Sequence, residues 1–248
     1  MTQMISLQDR NHFWLYDPDV FSDMSTQYFT PRYWQERDLV LGNESGRGTT
    51  WFVQHNSVQL VLRHYLRGGL ANRISRDRYL FHGWQRCRSV SEARILATLR
   101  ELKLPVPRPV AAQVIRHRLH YRADILIERI PDAQDLLRTL ELPQKDHFYI
   151  ELGRLIARFH GEGVYHADLN IQNILYDKQG RFWLIDFDRA KQLPDTGQWK
   201  HNTLERLHRS FRKEKERAQI HWSESDWLAL LEGYESFSTS AEQPTGRA

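Results

Sequence analysis

The stretch YHADLNIQNILYDKQGRFWLIDFD, from Tyr165 to Asp188, constrains this chain more than any other. His166, Asp168, Leu169 and Asn173 form an H-x-D-L-x-x-x-N loop. Two short apolar runs follow, Ile174 to Tyr176 and Phe182 to Ile185. They are joined by Asp177-Lys178-Gln179-Gly180, whose Asp and closing Gly are turn residues. This pattern predicts a hairpin. It delivers a second acid, Asp186, to the end of a strand, followed by Phe187 and Asp188. A surface turn rich in Asp and Asn is the bland alternative, but loop, hairpin and second acid together argue against coincidence.

These residue types at this spacing suit phosphoryl transfer. Moving a γ-phosphoryl group needs a carboxylate at the acceptor hydroxyl and oxygen ligands for magnesium, a hard cation. Asp168 is the candidate for the first role, and Asn173 and Asp186 for the second. The hairpin returns the chain so that ligands distant in sequence meet at one metal. A zinc pair of His160 and His166 is not expected, because no Cys or acidic ligand set accompanies them. A histidine beside such a loop more often holds backbone by hydrogen bonds.

With 248 residues the chain could form one large domain or two small lobes, and 40% hydrophobic residues suffice for a core. No apolar run approaches the roughly 20 residues of a membrane-spanning helix. The start, MTQMISLQDRNHFW, lacks the sections of a signal peptide. A single cysteine, Cys87, excludes an internal disulfide framework and agrees with a reducing compartment. The expectation is a cytoplasmic protein. The net charge is +4, but its distribution says more: Arg63 to Arg100 holds nine arginines, no lysine, and only Asp77 and Glu92 as acids. Arginine's planar fork binds phosphate and carboxylate bidentately. Nucleic acid, an anionic membrane surface and a phosphorylated substrate all fit this segment, as does a solvated basic face with no ligand.

Residues 1–38 are aromatic-rich and weakly periodic, and read as an extension packed on the first lobe. From Leu39 the pattern is strand, glycine loop, strand, with Gly42, Gly46 and Gly48 able to let backbone amides approach phosphates. This loop alone is a weak signal. A third strand, Val58 to Tyr65, carries Arg63. A helix after Ser89 is expected to place Ile95, Leu96, Leu99 and Leu102 on one face, with Pro105 closing it. Glu92 on that helix either pairs with Arg63 or completes a capping box with Ser89. Strands follow near Val110 to Ile115 and Asp124 to Ile127. Leu152, Leu155, Ile156 and Phe159 mark a core helix before the catalytic loop, ended by Gly161 and Gly163.

These residues resemble the protein-kinase-like superfamily: Gly42 to Gly48, Arg63, Glu92, Glu128 to Ile130, His166-Ala167-Asp168-Leu169, Asn173 and Asp186. Within it the chain is similar to the 3-deoxy-D-manno-octulosonic acid (Kdo) kinase family. That narrower match rests on GRG at Gly46, LRHYLRGGL at Leu62, DRYLF at Asp77, LPVPRPVAA at Leu104, HADLNIQNIL at His166 and RLHRSFRK at Arg206.

The resemblance implies an α+β, two-lobed protein-kinase-like fold, with an antiparallel-sheet N-lobe over 39–127 and a reduced, mainly helical C-lobe over 128–248. The backbone of Glu128 and Ile130 would meet adenine at the hinge. Arg63 stands where the superfamily has a lysine, a departure that keeps the charge but changes the geometry. Asn170 stands where many protein kinases have a lysine.

The implied reaction is ATP- and Mg2+-dependent phosphorylation of the 4-hydroxyl of a Kdo sugar on a lipid A precursor, at the cytoplasmic face of the inner membrane. Arg67, Arg73, Arg76, Arg78, Asn170 and Asp188 are the candidates for binding that acceptor. The protein would be a peripheral visitor to the anionic membrane surface, with no nucleic acid and no protein partner implied. A protein kinase is the second reading, which the missing A-P-E segment after Asp186 disfavours. A kinase of another sugar and a non-catalytic basic binding module complete the alternatives.

Overall fold

The computed structural model describes residues 4–45, 49–67, 77–194 and 198–241, and the chain divides into two compact units, Met1–Ile130 and Pro131–Ala248. Gly46, Gly48, Arg73 and Arg76 lie outside the described residues.

The first unit is a single sheet with one long helix. Its elements are β1 (Ile5–Asp9), β2 (His12–Tyr16), α1 (Pro31–Gln35), β3 (Val40–Ser45), β4 (Thr49–His55), β5 (Val58–His64), β6 (Tyr79–Leu80), α2 (Arg88–Glu101), β7 (Pro109–His117) and β8 (His120–Glu128). The strands run β1-β2-β7-β8-β5-β4-β3, with β6 beside β8, and all pairings are antiparallel. Asn56, at φ +51, makes the tight turn between β4 and β5, a conformation asparagine tolerates better than most residues.

Residues 1–38 contribute two strands and part of the core. Trp14, Tyr16, Phe21, Phe29 and Trp34 pack with Val53, Leu60, Leu62, Val110 and Leu126. In β2 four successive residues, Phe13 to Tyr16, are buried, so the strand lacks the alternation that marks a half-buried one. That is why the sequence reads as weakly periodic there. A buried ion pair between Asp17 and Arg108 fastens the segment after β2 to the entrance of β7.

Helix α2 begins at Arg88, and its buried residues are Ser89, Val90, Glu92, Ala93, Leu96 and Leu99. The expected apolar face is corrected accordingly: Leu102 lies past the helix end and is exposed, and Ile95 is only partly covered. A buried carboxylate takes up one position of the stripe, which blurs the helical pattern.

The second unit comprises β9 (Ala133–Asp135), α3 (Leu136–Thr139), α4 (Asp146–Gly161), β10 (Val164–Tyr165), β11 (Ile174–Asp177), β12 (Phe182–Leu184), β13 (Lys191–Gln192), α5 (Trp199–Ala218) and α6 (Glu224–Ala241). It is mainly helical, with two small sheets, β12-β11-β9 and β10-β13. The antiparallel sheet of the first unit and the helices of the second give the α+β, kinase-like class expected. Helices α4 and α6 touch backbone to backbone. A Cβ on Gly153 would sit 2.0 Å from Leu230 O, and one on Gly233 would sit 2.0 Å from Ile150 O. Leu152, Leu155, Ile156 and Phe159 of α4 are buried, forming the core behind the catalytic loop. Among the described residues, no helix is long and apolar enough to cross a membrane.

Candidate active site

The hairpin forms where the sequence places it, with Ile174 opposite Leu184 and Tyr176 opposite Phe182. Asp177 builds the turn. Its Oδ1 accepts from the backbone N–H of Gln179 (3.0 Å) and of Arg181 (2.9 Å), and its Oδ2 from Arg181 Nε and Trp183 Nε1, both 2.9 Å. Burial alone would raise this carboxyl's pKa, but the donors from Trp183 and Arg181 outweigh it and hold the group below its ordinary value.

The catalytic loop is tied together through Asp168. Its carbonyl oxygen accepts from Asn170 Nδ2 and from Asn173 Nδ2, each at 2.9 Å. Asn170 Oδ1 accepts from Gln172 N–H at 2.9 Å, capping the short 3-10 turn Ile171–Asn173. Both ends of the Asn170 amide are thus engaged on the loop backbone. The Asp168 carboxylate itself is about half exposed, and Arg206 Nη1 of α5 donates to its Oδ1 at 2.6 Å.

His166 joins this loop to the strand that carries Asp186. The Ile185 carbonyl can only accept and the Asp168 N–H can only donate. Nε2 of His166 therefore donates to Ile185 O (2.9 Å), and Nδ1 accepts from Asp168 N–H (3.3 Å). That is the neutral tautomer. Burial lowers the imidazole's pKa, against the raising effect of the Ile185 carbonyl and the nearby Asp186 and Asp168.

Asp186 stands at φ +62, the left-handed region, where side chains other than Gly, Asn and Asp are strained. The next residue, Phe187, is buried against Phe159 and His166, which anchors the turn. Asp188 follows, partly exposed. The Ile185 N–H donates to Asn173 O at 3.0 Å, which holds the segment before β11, with Asn173, beside the segment after β12, with Asp186. Asn173 uses its amide nitrogen on Asp168 O, so Oδ1 is the atom it could offer to a metal. A carboxylate and an amide oxygen suit magnesium, which keeps several waters and takes substrate phosphates as further ligands. Among the described residues there is no group of three or more His, Cys, Asp or Glu fit for a metal.

In the first unit, Glu92 is buried and Arg63 Nη2 donates to its Oε1 (2.6 Å) and Oε2 (2.5 Å). The Tyr65 hydroxyl donates to the same carboxylate. Glu92 thus pairs with Arg63, and Ser89 donates its hydroxyl to Gln113 O (2.9 Å), so the capping-box alternative is not what forms. Beside this pair stands Arg88, which the sequence alone did not single out, over the Tyr65 ring. Arg88 donates from Nη1 to Tyr79 OH (2.8 Å), and both Arg88 and Arg67 lie over the Tyr79 ring. Arg78 is exposed. At the end of β8, Glu128 N–H donates to Arg108 O and Arg129 N–H to Gln59 O, both 2.8 Å, and Ile130 follows, partly exposed.

Comparison with known proteins decides what this arrangement belongs to. The profile of the lipopolysaccharide kinase (Kdo/WaaP) family matches residues 31–234. The chain belongs to the lipopolysaccharide kinase (Kdo/WaaP) family. Among its curated relatives is a 3-deoxy-D-manno-octulosonic acid kinase of Vibrio parahaemolyticus, 46% identical over 226 residues, covering 91% of this chain and 94% of the relative. Another protein of that name, from Mannheimia succiniciproducens, is 42% identical over 243 residues, covering 94% of this chain and 100% of the relative. The sequence alone did not single out Arg206, whose guanidinium reaches the Asp168 carboxylate. Arg206 and Ser210 of α5 stand one helical turn apart and both reach the catalytic loop.

Proposed function

We propose that the protein transfers the γ-phosphoryl group of ATP to the 4-hydroxyl of a Kdo residue on a lipid A precursor. The observation that carries this reading is the Asp168 carboxylate, exposed at the surface of a loop whose backbone is fixed by Asn170, Asn173 and His166. A carboxylate held in this way serves the acceptor hydroxyl. The hydroxyl proton passes to Asp168 as the acceptor oxygen bonds the γ-phosphorus. The bond from that phosphorus to the β–γ bridging oxygen breaks, and ADP leaves.

Asn173 Oδ1 and Asp186 are the residues that would hold magnesium, whose charge offsets that of the phosphate oxygens. In the first unit Arg63, fixed by Glu92, offers its guanidinium to nucleotide phosphate, with Gly46, Gly48 and the backbone of Glu128 and Ile130 as further nucleotide contacts. Arg67, Arg73, Arg76 and Arg78 are proposed to meet the anionic acceptor and the headgroups around it, giving a reversible, peripheral visit to the inner membrane's cytoplasmic side.

Two measurements test this. ATP turnover is compared with a Kdo-bearing lipid A precursor, with free sugars and with a protein mixture as acceptors. The reading expects turnover on the first. Turnover confined to protein would overturn it. Sedimentation with anionic vesicles should occur at low salt and reverse at high salt, since charge attraction is screened beyond about 8 Å at physiological ionic strength. Equal sedimentation when the four arginines are neutralised would remove the membrane role.

A further inference from the structure

We infer that Arg206 is a catalytic residue that contacts the phosphoryl group in flight, the cation that Asn170 does not supply. The inference rests on the kinase reading above and adds a residue to its site.

Arg206 reaches the base from a different element. Helix α5 buries Leu204, Leu207 and Phe211 against the second unit. Ser210 is one turn beyond Arg206, and its hydroxyl accepts from Ile171 N–H at 3.2 Å while donating to Leu207 O at 2.7 Å. The helix is thereby docked on the catalytic loop at two points on one face, and the guanidinium is delivered to Asp168 Oδ1 at 2.6 Å. Asn170, the neighbour on the loop itself, is neutral and has both ends of its amide engaged on backbone.

The contact has the wrong exposure for a structural ion pair. Arg206 and Asp168 side chains are 49% and 54% exposed, and ion pairs so open to water add little to stability. Among the described residues Asp168 is the one hydrogen-bond partner of Arg206, and a guanidinium carries five N–H donors. One donor fixes Oδ1, which orients the carboxylate so that Oδ2 takes the acceptor proton. Other donors lie beside the base, where the acceptor oxygen meets the γ-phosphorus. There a fixed cation offsets charge on the phosphoryl oxygens as the bond to the bridging oxygen breaks.

The test uses Arg206→Gln, Arg206→Lys, Arg206→Ala and, as a control, Arg209→Gln. Arg209 is an exposed arginine of the same helix whose nearest acid is Glu205 at 3.9 Å. Each variant is assayed for transfer to the Kdo-lipid acceptor, for slow ATP hydrolysis without acceptor, and for thermal stability. Arg206→Gln should lower kcat by about a hundredfold or more with little change in melting temperature. Arg206→Lys should recover part of the rate, Arg209→Gln should match wild type, and added guanidinium ion should partly rescue an Arg206→Ala enzyme. Wild-type kcat in Arg206→Gln, or a loss that tracks melting temperature without guanidinium rescue, would overturn the inference. Because hydrolysis needs no sugar, it reads the phosphoryl contact even if the Kdo acceptor proves wrong. Absence of transfer by the wild type counts against the acceptor and leaves Arg206 to be judged on hydrolysis.

Discussion

Arg63 Nη2 lies 2.6 Å from Glu92 Oε1 and 2.5 Å from Oε2, while the Glu92 side chain is only 1% exposed. A carboxylate at that depth requires its partner, because an unpaired buried charge is costly. Arg63 keeps some access to water, so the loss on breaking the pair falls near the low end of the usual range. Glu92→Ala should cost about 3 kcal/mol in urea unfolding and also weaken ATP binding, since Arg63 loses its anchor. Arg63→Ala should weaken ATP binding at least as much. Unchanged nucleotide affinity in both variants would detach this pair from the nucleotide.

For the metal ligands the direction differs between the two residues. Asp186→Asn removes a negative charge but preserves a side chain that tolerates the left-handed φ of +62. The fold should therefore survive while magnesium dependence shifts to higher concentration and rate falls. Asn173→Ala should act more mildly on the metal, because it removes a neutral ligand. It also removes one of the two amides on Asp168 O. Magnesium titrations of kcat at saturating ATP would show both effects, and wild-type curves would reject both ligands.

His166 sets an acid limit. Its folded-state pKa is lowered by burial, so at pH values below the ordinary histidine pKa of about 6.5 the unfolded chain binds the proton more readily. Stability contributed by the neutral ring is intact above that pH and is lost progressively as pH falls toward the lowered folded value. His64 opposes it, because the Asp124 hydrogen bond raises its pKa despite burial. Its contribution is full below about 6.5 and fades as pH rises through the raised folded value. Denaturant midpoints of wild type and His166→Gln between pH 7.5 and 5.5 separate the two. The wild type should lose more stability than the variant over that interval, and parallel curves would exclude His166 as the cause.

The α4–α6 crossing gives a prediction that concerns stability alone. Gly153→Ala places a methyl 2.0 Å from Leu230 O and 2.7 Å from Tyr234 N, so backbone must move. The cost should reach about 3 kcal/mol, or roughly 6–12 °C in melting temperature for a chain of this size. Gly161→Ala meets nothing within 4 Å and should be neutral or slightly stabilising. Equal melting temperatures for the two variants would contradict this packing.

The catalytic loop and hairpin were legible because their signals are local: turn residues, short apolar runs, and polar groups at fixed spacing. Glu92 was ambiguous because pairing and capping use the same residue, and only the tertiary fold decides, by bringing Arg63 of β5 within hydrogen-bond reach of Glu92 on α2. Strand β2 was illegible because burial on both faces removes alternation. Arg206 was out of reach for another reason. It meets Asp168 across 38 positions, and nothing in either local sequence specifies that contact. Helix docking by Leu207 and Phe211 creates it.

Transfer to the Kdo 4-hydroxyl with Asp168 at the acceptor is read from the structure of the product. A Kdo-bearing lipid A precursor is incubated with ATP, magnesium and either wild type or Asp168→Ala, and the sugar is analysed by 31P–1H correlation NMR. The account predicts one phosphate, on the Kdo 4-oxygen, formed by the wild type. It also predicts none from an Asp168→Ala protein that is folded and still binds ATP. Phosphate at another position, or 4-phosphorylated product from the variant at a near-normal rate, would contradict it.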